Sequence, residues 1–212
     1  MGQQYSVTFV NNSTNHWDFC VFQQDPNITS SSDPIALAWF VKQIDPNTSG
    51  VFSWEIDYSF VWFEAGTTAD GKVKYTTGGQ VSADLSQSNE ITLSYDGAFE
   101  FGTTSQNTTS GTIFINEDAT VPLQKGFVGI GMSGSGTFAV AAEPNIGAAF
   151  TPKPTYWCTF GQYEVGQVMN ISETTQPKEI VFEGVFDITL TLSADNIWSQ
   201  SARLAKAVEA AK

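Results

Sequence analysis

The most constraining feature of this chain is a run with a period of two. Phe52, Trp54, Ile56, Tyr58, Phe60 and Trp62 occupy every second position. Ser53, Glu55, Asp57, Ser59, Val61 and Phe63 stand between them. Successive side chains of a strand point to opposite faces, so such alternation builds a sheet with one apolar face and cannot sit as a helix. Twelve residues exceed an ordinary strand, which predicts a bend or bulge within the run. Shorter copies of the pattern recur at Ile91, Leu93, Tyr95, at Phe138, Val140, Ala142, and at Phe186, Ile188, Leu190, Leu192. His16 to Phe22 and Ile35 to Val41 are apolar on both sides, as strands buried on two faces are.

Turn chemistry separates these runs. Asp70-Gly71, Asp96-Gly97 and Ser133-Gly134 read as hairpin turns, and Gly78-Gly79 as a further turn. The polar stretches Gln23 to Pro34 and Gly102 to Gly111 read as surface loops. Prolines 144, 152 and 154 mark an irregular or edge segment. Only Ser201 to Ala211 has helical spacing, with Leu204, Ala205, Val208 and Ala211 on one side. The expectation is an all-β chain: one antiparallel, jelly-roll-like β-sandwich over residues 1–200, then a short amphipathic helical tail over 201–212.

Charge narrows the function classes. The 212 residues hold 22 acidic and 9 basic side chains, a net charge of −13. Phosphate binding needs clustered Lys and Arg, so nucleic acid is not an expected partner. No apolar stretch reaches the length of a membrane span, and no secretory signal is visible. The tail is the basic piece: Arg203, Lys206 and Lys212 against Glu209. Arg203, Leu204, Lys206 and Val208 are therefore the candidate assembly residues, through docking of the tail on its own acidic body or on a neighbour's; the ordinary alternative is that Lys and Arg complement a helix C-terminus. The start, Met1-Gly2-Gln3-Gln4-Tyr5-Ser6, matches an N-myristoylation pattern, but Tyr5, Val7 and Phe9 alternate as a strand does.

Catalytic chemistry is sparsely provided. His16 is the sole histidine, so a multi-histidine metal site cannot be built within the chain. Neither a metal nor a cofactor is expected. Cys20 and Cys158 follow no metal or redox spacing; two buried thiols are expected, with a Cys20–Cys158 disulfide as the alternative. Glu55 and Asp57, two apart on a predicted strand, would lie about 7 Å from each other on one face. That lies within the spacing of paired glycosidase carboxylates. Glu-Ile-Asp resembles the opening of the laminarinase-like glycosidase motif, but Ser59 and Phe60 stand where its closing glutamate is needed. A solvated strand face is the expected reading, and the chain is not expected to be an enzyme. The Gly129/Gly131 run lacks a following Lys and helix, so it reads not as a phosphate loop but as a bare strand face that admits another backbone, an aromatic ring or a ligand, with packing against a tryptophan expected and a sugar ring the alternative. Trp157, after two prolines, with Tyr156 beside it, is the candidate sugar-stacking pair.

Several segments together carry a family resemblance. They are Ile35-Ala36-Leu37-Ala38-Trp39-Phe40, Phe52-Ser53-Trp54 through Trp62, Val128 to Gly134, Phe150-Thr151-Pro152 with Tyr156-Trp157 and Phe160-Gly161, and Asp195-Asn196-x-Trp198. In these the chain resembles the RhiA-like family of small microbial proteins, over about residues 4 to 200. The resemblance implies a bacterial product, cytoplasmic or non-classically exported, made under cell-density signalling. It supplies no catalytic motif and hence no site residues. The expected function is a non-enzymatic structural or self-assembling β protein forming a homo-oligomer. The alternatives are a carbohydrate-binding module or lectin with glycan partners, and a glycosidase-like jelly roll.

Overall fold

The computed structural model describes residues 3–24, 27–30, 32–170, 172 and 174–202. The chain forms strands β1 (Gln4–Asn11), β2 (Trp17–Gln24), β3 (Asn27–Thr29), β4 (Ile35–Ala36), β5 (Ala38–Ile44) and β6 (Thr48–Glu55). It continues through β7 (Tyr58–Thr67), β8 (Val73–Ala83), β9 (Glu90–Tyr95), β10 (Phe99–Phe101), β11 (Ile113–Glu117) and β12 (Phe127–Met132). The last six are β13 (Ser135–Ala141), β14 (Gly147–Thr151), β15 (Thr155–Gly161), β16 (Lys178–Ile180), β17 (Asp187–Leu192) and β18 (Trp198–Ala202).

Among the described residues these make four open sheets, ordered β18-β17-β1-β6, β16-β15-β2-β5, β4-β13-β12-β7-β8 and β10-β9-β11-β14-β3. The pairings β1–β17 and β9–β11 are parallel; the others are antiparallel. The all-β expectation holds, but the sheets pack as two sandwiches rather than one. The first two sheets enclose Phe9, Phe19, Trp39, Trp54 and Leu190. The other two enclose Phe60, Ile91, Ile115, Ile130 and Phe150. Each such side chain, fully removed from water, contributes roughly 1.5–3 kcal/mol.

The alternating run explains the division. It breaks after Glu55, so Phe52 and Trp54 face one core while Phe60 and Trp62 serve the other. Ile56 and Asp57 form the corner between them. Ser133 clamps that corner: its backbone N–H and its hydroxyl donate to the Asp57 carboxylate at 2.8 and 3.0 Å, while the Glu55 N–H donates to Ser133 Oγ at 3.0 Å. The predicted bend is this corner; the bulge opposite Trp62 and Phe63 belongs to β8, where Gly78 is the extra residue.

Three local readings need correction. Gly78 and Gly79 are not a turn; they lie within β8, opposite Trp62 at the bulge. A Cβ at either would sit 1.9–2.2 Å from the Trp62 ring, so only glycine leaves that ring its place. The loop Gln23 to Pro34 contains β3, which pairs with β14. Ser201 and Ala202 are strand, not helix, paired with Thr189 and Ile188 of β17; the open edge of β17 outweighs the helical propensity of that short segment. Arg203, Leu204, Lys206 and Val208 lie outside the described residues, as does Gly2.

The hairpin dipeptides behave as read. Gly71, Gly97 and Gly134 have φ of 82°, 78° and 80°, which turns of this kind require. The polar stretch after β10 is folded over Asn89, whose amide is buried and donates to the Thr109 and Thr112 carbonyls.

Candidate functional site: an aromatic cleft and an open strand edge

Adjacent residues on a strand point to opposite faces, and this divides the sequence-predicted sites. Tyr156 faces inward among Tyr5, Trp39, Trp54 and Phe182. Trp157 faces the other side of the same sheet, half-buried against Cys20, Phe22 and Met169. The proposed sugar-stacking pair is therefore not one site, and Tyr156 is a core residue, 7% exposed.

The cysteines are separated by the same rule. The register pairs Thr159 with Cys20 and Cys158 with Val21. Cys158 thus joins the sandwich core and Cys20 the opposite face. Both are free and fully buried, and burial pushes both thiols well above the ordinary range. The Cys20–Cys158 disulfide is excluded by register, not by distance along the chain.

Glu55 and Asp57 do not share a strand. Glu55 ends β6, and Asp57 is committed to the Ser133 clamp. Neither lines the cleft described below. His16 lies on the surface with its Nδ1 2.7 Å from the Asp45 carboxylate. Among the described residues no group of three or more His, Cys, Asp or Glu side chains is placed to hold a metal ion, and no helix is long and apolar enough to cross a membrane. The Gly129 face is bare for a different reason than the one expected. A Cβ there would lie 1.8 Å from the Phe138 carbonyl oxygen, so the glycine admits neighbouring backbone rather than a ring.

Two features could make contact with another molecule. The first is a cleft of about 270 Å³ where β1, β15 and β16 meet the segment leading to β17. Tyr5, Tyr156, Phe182 and Phe186 line it, with Glu179 at the side. Phe182 and Phe186 meet Tyr5 edge-on at 5.0 and 5.5 Å, and Phe186 is 44% exposed. Burial pushes the Tyr156 phenol up to about 12, so it stays neutral; neither its hydroxyl nor the Trp54 indole N–H makes a hydrogen bond within the protein. Sequence reasoning reached Tyr156 but missed Phe182 and Phe186, because only the pairing of β16 with β15 brings that segment over the ring.

The second feature is the free side of β8, the longest described strand and an edge of its sheet. From Tyr75 to Ala83 it carries no charged side chain.

Comparison with known proteins settles the family. The RhiA family model matches residues 2–203. The chain belongs to the RhiA family. It is 34% identical to Protein RhiA of Rhizobium leguminosarum bv. viciae over 201 residues, covering 93% of this chain and 86% of that one. No solved structure matches. For this RhiA family member the match covers both sandwiches, from β1 to β18.

Proposed function

We propose that this RhiA family member acts without catalysis, as a structural or self-assembling β protein. The observation that carries the reading is that, among the described residues, all four sheets are open. An open sheet presents unpaired backbone donors and acceptors, and these pair with another strand unless they are covered, charged or interrupted. In a second copy of the same chain they meet a matching row. The reading extends to a cytoplasmic or non-classically exported product; free, sealed thiols are in keeping with a reducing compartment.

Light scattering of the full chain over a hundredfold concentration range tests it. The expected result is a mass that rises to a multiple of the chain mass. A single-chain mass at every concentration would overturn the proposal.

A second reading, carbohydrate binding, rests on the aromatic cleft. Rings set edge-to-face with one exposed member can receive the apolar face of a sugar. Titration against a glycan array, repeated with Phe186→Ala, tests it; binding lost in the variant supports the reading, and a blank array for the wild type removes it.

A further inference from the structure

We infer that the β8 edge is a homodimerisation surface, where β8 of two copies pair antiparallel about a two-fold axis through Val81. This rests on the assembly reading and names its surface and partner. At one end the edge is already covered by its own chain. The Tyr75 N–H donates to the Gly166 carbonyl at 2.8 Å, and the Val168 N–H to the Val73 carbonyl at 3.0 Å. Beyond it, among the described residues, the backbone of Thr76 to Ala83 makes hydrogen bonds only within the β7 ladder. Thr76, Thr77, Gly78, Gln80 and Ser82 are exposed.

The register says which groups face outward. The Tyr75 N–H points away from β7, toward Gly166. Backbone direction alternates along a strand, and the one-residue bulge at Gly78 moves the alternation by one. The N–H and C=O of Gln80 and Ser82 therefore point away from β7. The next outward residue, Asp84, uses its own pair with Ser88, donating at 3.1 Å and accepting at 3.2 Å. Thr77, before the bulge, also points outward, and Gln80 and Ser82 beyond it form a donor–acceptor set that matches itself about Val81. In the pair, Gln80 of each copy exchanges two hydrogen bonds with Ser82 of the other. Val81 meets Val81 in the closer, non-hydrogen-bonded position. Val81 already packs against the second sandwich core, so the contact extends that core across the axis. Two five-stranded sheets become one of ten strands.

Charge favours a second copy as the occupant. The chain is strongly acidic, so like surfaces repel, and Tyr75 to Ala83 is a stretch where two copies can meet without opposing carboxylates. No lysine or proline interrupts the edge between Tyr75 and Ala83, and the bulge at Gly78 lies before the Gln80–Ser82 set. The other long edge strand, β6, is engaged at its end, where the Glu55 N–H donates to Ser133 Oγ.

The test compares wild type, Val81→Lys and Ser82→Pro by light scattering, with circular dichroism and thermal melts to show that each variant folds. Lysines at 81 repel across the axis. Proline at 82 removes an outward N–H that β7 does not use. Each variant should weaken self-association at least tenfold; Ser82→Pro should leave the melt nearly unchanged, while Val81→Lys also gives up a contact with the second core and should melt lower while still folding. Val81→Cys supplies a second readout: mild oxidation should link two copies, since the native thiols are sealed. Association by the wild type that both folded variants retain, with no Val81→Cys crosslink, overturns the β8 surface but leaves the assembly reading standing. A wild type that stays single at all concentrations overturns both.

Discussion

At the scale of single residues, the glycines and the buried carboxylate are the most sensitive positions. Gly129→Ala sets a methyl against a backbone carbonyl that cannot swing away, so it should cost on the order of 3 kcal/mol in urea unfolding. Gly102→Ala, whose added carbon would meet only ordinary contact at 3.6 Å, should stay within about 0.5 kcal/mol. Equal effects would contradict the packing described. Glu117 is 4% exposed, with one carboxylate oxygen lacking a partner. Burial, with Glu143 nearby, pushes its carboxyl up to about 8. Its folded value therefore exceeds its unfolded value near 4.3. The stability it contributes is full below about pH 4.3 and is lost as pH rises through 8. Wild-type stability should fall by a few kcal/mol between pH 5 and 9 relative to Glu117→Gln. Parallel pH dependence in the two proteins would show that Glu117 ionises freely. Glu90 works in the opposite sense. Amide donors from Asn107 and Asn116 hold its carboxyl below the usual range, so its contribution is present above that range and lost on acidification.

At the scale of elements, the corner between β6 and β7 and the register of β2 with β15 decide the outcome. Asp57→Ala removes two hydrogen bonds from an exposed corner, which should cost about 1 kcal/mol. Combined with Ser133→Ala the loss should be less than additive, since both changes remove the same clamp. Additive losses would separate the two residues. For the cysteines, thiol titration should find both unreactive in the native protein and two free thiols after unfolding of air-exposed protein. One missing thiol pair would contradict the register. Much of this scale was legible in the sequence. The alternation of 52–62, the two-faced strand at 16–22, and the Asp-Gly and Ser-Gly turns all state local geometry, whereas the apolar stretch 35–41, read as one strand, is divided between β4 and β5 in different sheets. Gly78-Gly79 misled because a glycine pair serves a turn and a ring-bearing bulge equally well. The cysteine pairing was beyond reach because a one-residue shift in register exchanges the faces of a strand.

At the scale of the whole molecule, alternation announced apolar faces but not how many cores would bury them. One sandwich and two satisfy the same pattern, and the choice depends on which strands pair over long sequence separations, as β1 does with β17. The aromatic residues follow the same logic. Most are core: Trp39 and Trp54 are almost wholly buried, and Phe182 and Phe186 became a cleft only through the β15–β16 pairing. What the molecule leaves open is backbone at its sheet edges, in a chain whose charge otherwise keeps copies apart.

Light scattering of the wild-type chain across concentration is the most direct test of that account. It predicts a mass of at least two chains at high concentration, falling toward one on dilution. A constant single-chain mass across the whole range would contradict it.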